Sequence, residues 1–302
     1  MAKILCAPLQ GYTDSAWRTA QKAVFGGVDT YYSPFLRVFH GSVRGLADVL
    51  PERNAGISLV PQVLAGRPDE TLRVVEELRG CGYKRIDLNM GCPFPPVTKH
   101  WRGAGLLLHT AEAEALCRAL AEVQGVEFSV KMRLGFDDPA QWRGVMPFVS
   151  MLSPVHIAMH ARVAVQQYDG CANLDEFGRF LAEAPCPVVY NGDVATAVGV
   201  SEIEERLPAV AGVMIGRALV ADPALLCRDL ATAANYSRFH NMIFDTLSSR
   251  NSGGDHVLLG KMKSLWAMFL PEAPRKARKA IKKSTTIDKY LAAVSQLFAE
   301  LD

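Results

Sequence analysis

The sequence predicts an α/β protein, a (β/α)8 TIM barrel followed by a small C-terminal helical-bundle domain. Three observations carry that reading. Eight short apolar runs recur between residues 3 and 216, most are separated by stretches of helical periodicity, and strand signals stop after residue 235. Alternating β and α segments imply a parallel sheet. Eight such units match the usual size of a closed barrel. A doubly wound open sheet is the structural alternative, but it would normally carry a Gly-x-Gly-x-x-Gly turn after its first strand. "CAPLQGYTD" has none.

The eight runs are "KILCAP" (3–8), "TYYSPF" (30–35), "SLVPQVL" (58–64), "RIDLNM" (85–90), "EFSVKM" (127–132), "VHIAMH" (155–160), "PVVYN" (187–191) and "GVMIG" (212–216). Between them, "DETLRVVEELRGCG" and "TAEAEALCRALAEVQG" space apolar residues by three and four and end in Gly, which predicts amphipathic helices. Asp14, Asp69 and Thr110 are the expected N-caps. Beyond them, "FHNMIFDTLSS", "DHVLLGKMKSLWAMFL", "PRKARKAIKK" and "IDKYLAAVSQLFAEL" suit helices, with "RNSGGD" as a loop. The expected division is 1–235 for the barrel and 236–302 for a helical unit packed behind it.

Composition narrows the function classes. A chain of 302 residues that is 49% hydrophobic has ample core. "MAKILCAPLQG" lacks the apolar stretch of a signal peptide, and no apolar run reaches the ~18 residues of a membrane span. Seven scattered cysteines without a Cys-x-x-Cys pair read as reduced thiols, so a cytoplasmic monomer without bound metal is expected. Net charge is only +2, yet residues 274–283 hold six basic residues and no acidic one, with Lys261 and Lys263 upstream. Such a run is either a solvated helix face or a phosphate-binding surface.

In a barrel of this kind chemistry belongs at the C-terminal ends of the strands. Those ends carry Ala7-Pro8, Gln62, Asn89 with Cys92, Lys131 with Arg133, His160 with Arg162, "NGD" (191–193) and "GRA" (216–218). Glycines at the last two ends let backbone N–H groups approach a phosphate, and Arg217 adds charge. Gln62 suits a ring edge that presents a donor beside an acceptor. Lys131 beneath a ring that becomes an anion on reduction fits a flavin better than a sugar phosphate.

These segments resemble the tRNA-dihydrouridine synthases. The resemblance rests on "APLQGYTDSAWR" (7–18), "LNMGCPFPPV" (88–97), "VKMRLGF" (130–136), "YNGDV" (190–194) and "VMIGRAL" (213–219). "SPFLRV" (33–38) and "KMKSLW" (261–266) look most like the subgroup that modifies uridine 16. The resemblance implies FMN as cofactor, NADPH or NADH as electron donor and tRNA as substrate. It places cofactor contacts on Pro8, Leu9, Gln62, Lys131, His160, Asn191, Gly192, Asp193, Gly216 and Arg217, and the catalytic cysteine on Cys92. RNA contacts fall on Arg37, Asn89, Tyr168, Lys261, Lys263 and, more loosely, Lys282. Two departures are visible. "HARV" (160–163) replaces the usual H-G-R-T, and Pro95-Pro96 follow Cys92 where small or basic residues are usual.

Reduction of the uracil 5,6-double bond needs a hydride at C6 and a proton at C5. A thiol with pKa near 8.5 is mostly protonated at neutral pH and can still yield its proton. That explains a cysteine on a turn between Gly91 and Pro93, projecting over the mouth. The alternatives are another flavin barrel acting on a small molecule, dihydroorotate- or ene-reductase-like, and a non-catalytic RNA-binding descendant. The first leaves the basic tail unexplained, and the second leaves Cys92, Lys131 and His160 unexplained.

Overall fold

The computed structural model describes residues 2–301. After β1 (Lys3–Cys6) and β2 (Thr30–Tyr32) comes an antiparallel hairpin, β3 (Arg37–Phe39) and β4 (Ser42–Arg44). The sheet resumes with β5 (Leu59–Val60), β6 (Gln62–Leu64), β7 (Arg85–Met90) and β8 (Glu127–Gly135). β9 (Ile157–Val163), β10 (Val188–Asn191) and β11 (Gly212–Ile215) complete it. All barrel pairings are parallel, in the order β5-β2-β1-β11-β10-β9-β8-β7-β6.

The two ends of that order, β5 and β6, are one stave broken at Pro61. Proline has no N–H to give the ladder, while its carbonyl accepts from the Asp87 N–H at 2.9 Å. The upstream half pairs with β2 and the downstream half with β7, so the ring closes on eight staves. The expected strand over 58–64 is therefore two short ones. The hairpin over 37–44 had no sequence signal, because its apolar residues are only Val38, Phe39 and Val43.

Helices α1 (Ser15–Val24), α2 (Pro68–Gly80), α3 (Pro95–Thr98), α4 (Thr110–Ala121) and α5 (Trp142–Val149) lie on the first half of the ring. α6 (Leu174–Glu183), α7 (Ala197–Arg206) and α8 (Arg217–Ala221) complete it. Asp14 caps α1 as expected, accepting from the Trp17 N–H at 3.0 Å. Asp69 and Thr110 do not cap. Pro68 starts α2 two residues earlier than a cap at Asp69 would, at the position where its missing N–H costs nothing, and Thr110 is itself the first residue of α4.

Strand residues alternate between two environments. One set packs against the helices in the main core. The other points into the barrel, where Leu5, Ala7, Tyr32, Val60, Ala158, Val189 and Met214 form a separate small apolar cluster. On β6, β7 and β8 the equivalent inward positions are polar: Gln62, Asp87, Asn89, Ser129, Lys131 and Arg133. The barrel interior is thus apolar on one side and polar on the other, and the polar side leads up to the strand ends.

The tail forms α9 (Ala233–Ser249), α10 (Asp255–Leu265), α11 (Arg275–Lys283) and α12 (Ile287–Ala299). It packs against the outer helical ring of the barrel at α1. α9 packs along α1, with Phe239 edge-on to Trp17 at 6.1 Å and tilted against Phe25 at 5.8 Å. The Tyr290 hydroxyl joins α12 to α9 and α10, at 2.6 Å from His240 Nε2 and 3.0 Å from the donating Trp266 Nε1. Lys261 on α10 lines a cleft with Gly11 and Tyr12, which follow β1 at the strand-end face.

Phe239 is fully buried where the tail meets the barrel. Phe239→Ala should cost about 3–5 kcal/mol, the usual range for emptying such a site. Urea unfolding would measure it. A loss under about 1 kcal/mol would mean the two units are not joined through this contact.

Candidate functional site

Ten of the eleven residues expected to touch a cofactor or do chemistry converge on one cavity at the strand ends. It is lined by Pro8, Leu9, Gln62, Cys92, Lys131, His160, Asn191, Gly192, Gly216 and Arg217, and also by Asn89 and Tyr168. Asp193 is the exception. Its carboxylate turns onto Arg162 at 2.6 and 2.7 Å and accepts from the Ala172 N–H at 2.9 Å, so it braces the wall from outside. Gly192 lines the cavity, but the need for glycine there is local. A Cβ would stand 2.0 Å from the Tyr190 hydroxyl.

The floor is a chain of hydrogen bonds beginning at Asp87, which is fully buried. Its carboxylate accepts from Ser129 Oγ at 2.6 Å and from Gln62 Nε2 at 2.7 Å. Because an ionised carboxylate can only accept, the Gln62 amide must turn its NH2 downward and its oxygen toward Asn89. Asn89 Nδ2 donates to that oxygen at 2.8 Å. Asn89 Oδ1 then faces the chain ahead and accepts the N–H groups of Gly91 at 3.1 Å and Cys92 at 2.8 Å. One buried carboxylate therefore sets the orientation of two amides and the turn that carries the thiol.

Gly91 and Cys92 are held from the other side as well. Arg133 Nε donates to the Gly91 carbonyl at 3.0 Å, while its other nitrogens reach the carbonyls of Val163 at 2.9 Å and Gln167 at 2.8 Å. A Cβ on Gly91 would lie 3.3 Å from the Met132 carbonyl carbon, so the turn runs pressed against β8. The Ala104 N–H caps the Cys92 carbonyl at 3.1 Å. The thiol is half-buried, and burial pushes its pKa up despite the Phe94 N–H and the cations of Arg133, Lys131 and Arg37. It is held as a thiol, not a thiolate.

The cavity around the thiol is strongly cationic. Lys131, Arg133 and Arg217 line it with Arg162 in the wall behind, and among the described residues the carboxylates they meet are Asp87 and Asp193. Burial pushes Lys131 down to about 8 and Arg133 down to about 10. The Lys131 ammonium donates to Asn191 Oδ1 at 2.9 Å. Burial and the surrounding cations hold His160 well below its ordinary value, so it is neutral. Arg162 Nη1, which can only donate, lies 3.3 Å from His160 Nε2, leaving the His160 proton on Nδ1. Excess buried positive charge with glycines at two adjacent strand ends suits an anionic, phosphate-bearing planar group. The residues present fit such a cofactor.

The expected RNA contacts separate into groups. Asn89 and Tyr168 line the cavity, and the Tyr168 ring carries the Arg217 guanidinium at 4.2 Å. Arg37 stands just outside, on the hairpin. Lys261 lies by the β1–α1 turn and Lys282 is exposed on α11. Lys263 is different, because its ammonium donates to the Ser284 carbonyl at the end of α11. Arg278, within the basic run, is similarly tied to the carbonyls of Trp266 at 2.9 Å and Pro271 at 2.7 Å. Asp87, Ser129 and the anchoring role of Arg133 were not foreseen. Their signal was an acid at an inward position of a strand whose other face is Ile86, Leu88 and Met90.

Comparison with known proteins agrees across the chain. The sequence profile of the family described as Dihydrouridine synthase (Dus) matches residues 5–269. A tRNA-dihydrouridine(16) synthase of Ralstonia nicotianae is 33% identical over 245 residues, 76% of this chain and 72% of that one. A protein of the same name from Cupriavidus necator is 31% identical, covering 76% and 73%. Another from Neisseria meningitidis is 28% identical, covering 74% and 69%. Among solved structures, histamine dehydrogenase from Rhizobium sp. shares the fold at 11% identity and a TM-score of 0.52, over 87% of this chain and 49% of that one.

Asp87 provides a pH test of the floor. Burial raises it from 3.8 to about 6. The folded state thus holds the proton to higher pH than the unfolded chain. Its ionisation therefore opposes folding above pH 6, by about 3 kcal/mol at most, and the penalty fades as pH falls from 6 to 4. Asp87→Asn should raise thermal stability relative to wild type more at pH 7 than at pH 5, while weakening the alignment of Gln62 and Asn89. Equal differences in Tm at both pH values would show that Asp87 does not ionise in this window.

Proposed function

We propose a reaction for a chain that belongs to the dihydrouridine synthase family: reduction of uridine 16 in tRNA to 5,6-dihydrouridine, with FMN as cofactor and NADPH as electron donor. The observation that carries this reading is a half-buried thiol held protonated at the mouth of a cationic, glycine-edged cavity. FMN, when bound, supplies the hydride for C6 of the uracil.

The residues of this chain do the rest. Lys131 and Arg217 supply positive charge for the cofactor's ring and phosphate, and Gln62, with its oxygen and amide already oriented by Asp87 and Asn89, meets the ring edge. Neutral His160 can donate a hydrogen bond from Nδ1 without adding charge. Asn89 has one amide proton left after serving Gln62, so it offers a donor to a carbonyl of the base. Cys92 gives its proton to C5. A group that must be a proton donor at neutral pH benefits from a raised pKa, the opposite of what a nucleophilic cysteine needs.

The base has to leave its stack to reach this depth, which costs a few kcal/mol, least for a loop nucleotide. Phosphate contacts from Lys261, Lys282 and the exposed part of the basic run offset that cost without reading sequence. The barrel and the helical unit then act as two sides of one RNA site.

Cys92→Ala should keep FMN binding and NADPH oxidation and lose dihydrouridine formation by at least about a hundred-fold, the lower range for removal of a positioned acid. Mass-spectrometric mapping of tRNA after turnover reads this directly. Wild-type rates in the variant would make Cys92 a bystander, and dihydrouridine at a position other than 16 would overturn the positional assignment. Replacing Lys261 and Lys282 with Ala should lower the salt dependence of tRNA binding by about one unit of slope for each phosphate that is no longer neutralised. An unchanged slope would return those lysines to a solvated face.

A further inference from the structure

The β3–β4 hairpin stands on the rim of the cavity and has no part in the chemistry above. Leu36, just before it, pairs with Val63 next to Gln62, so the hairpin rises directly from the strand-end face. Val38 and Val43 turn inward onto the core, which leaves Arg37, Phe39, Ser42 and Arg44 on the outer face. Phe39 is 43% exposed. Two guanidiniums lie over its ring, Arg37 at 5.4 Å and Arg44 at 5.7 Å. His40 meets the same ring edge-on at 4.2 Å.

Two features make this face unusual for a surface with only a structural role. Arg37 and Arg44 are direct cross-strand partners, and like charges so placed destabilise a hairpin. Neither has a carboxylate partner among the described residues, and no acidic residue lies between Asp29 and Asp48. The pair would be relieved by an external anion. Secondly, a groove continues from the hairpin to the segment after Cys92, lined by Arg37, Phe39, Pro96, Lys99, His100 and Arg102. Arg102 is committed to Glu70, at 2.6 and 2.8 Å, but Lys99 is exposed and has no carboxylate partner among the described residues. Trp101, 49% exposed, follows two residues after Lys99.

We propose that the hairpin face and this groove form a second RNA-contact surface, in which an unstacked loop nucleotide lies on Phe39 and its flanking phosphates are held by Arg44 and Lys99. A partly exposed aromatic ring with cations beside it is the arrangement that binds single-stranded nucleotides without reading sequence. It lies on the same rim as the turn that presents Cys92. A nucleotide next to the flipped base can therefore be held while the base is inside. The proposal rests on RNA being the substrate, and it adds the neighbouring nucleotide as a second recognised element.

The test uses the whole protein with FMN, NADPH and an unmodified tRNA transcript. Phe39→Leu keeps the apolar bulk but removes the π face, Phe39→Tyr keeps both, and Arg44→Ala removes one charge. Expected are a rise of at least about five-fold in the KM for tRNA with Phe39→Leu, retention with Phe39→Tyr, and kcat within about two-fold of wild type in each. Arg44→Ala should lower the salt slope of binding by about one. NADPH-driven flavin reduction without tRNA should be unchanged throughout. Unaltered KM in Phe39→Leu would overturn the stacking role. An effect of Arg44→Ala alone, matched by competition from polyaspartate, would make the face a general anion surface and overturn the proposal too. If wild type forms no dihydrouridine, the reading of the site fails instead. The hairpin is then judged by photocrosslinking of the transcript to Phe39.

Discussion

The site depends on one buried carboxylate. Asp87 lies fully buried inside the barrel, and among the described residues Ser129 and Gln62 donate to its carboxylate. Because it can only accept, it removes the freedom of the Gln62 amide to flip, and the fixed Gln62 removes that of Asn89. Asn89 in turn pins two backbone N–H groups of the turn that carries Cys92. A chain of four residues thus transmits orientation from the barrel floor to the mouth. The cost is a buried acid whose pKa is pushed up to about 6, a stability penalty accepted at a place where function needs rigidity.

That same carboxylate helps to tolerate the cations above it. Lys131 is pushed down to about 8 by burial first and Arg133 second, with Asp87 pulling the other way. Without the acid, the ammonium would lose its charge nearer to neutral pH, and with it the ability to stabilise an anionic ring. Arg133 combines two tasks, since three of its nitrogens hold backbone carbonyls on the turn after β7, at the end of β9 and in the segment that follows it. Its charge is used up in structure as much as in chemistry. The cavity is therefore cationic by construction, but its positive groups are not interchangeable.

Most of this fold was legible in the sequence because barrels announce themselves by period. Eight apolar runs with helical spacers leave few alternatives, and each run maps onto a stave. Pro61 shows the limit. A proline in a strand marks an irregularity but does not say that the stave will divide and pair on two sides. The helix starts at Pro68 and Thr110 lie two residues and one residue before the expected ones, since capping by a side chain and a first helical position look alike in sequence. Of the site, residues pointing at the mouth were found from strand-end chemistry and the family resemblance. Asp193 could be placed at a strand end but not given a direction, because a strand-end carboxylate can face the cavity or brace it. Which of the two occurs depended on where Arg162 reached, a tertiary fact. Lys263 is a parallel case, a basic residue in a basic region whose ammonium meets a helix-terminal carbonyl.

The departures from the family pattern bear on specificity in unequal ways. Ala161, in place of the usual glycine, is fully buried in the core, pointing away from the cavity, and β9 simply continues through it to Val163. That substitution cannot reach a base in the mouth. Pro95 and Pro96 are different. They start α3, where proline's fixed φ suits the first helical turn, and they bring Lys99 and His100 to the groove beside Arg37. The stiff start of α3 thus shapes the outer rim while Asn89 and Arg133 shape the inner one. Specificity for position in the RNA would then arise where the two rims meet, at the nucleotides flanking the reduced base, because the uracil ring itself is the same at every uridine.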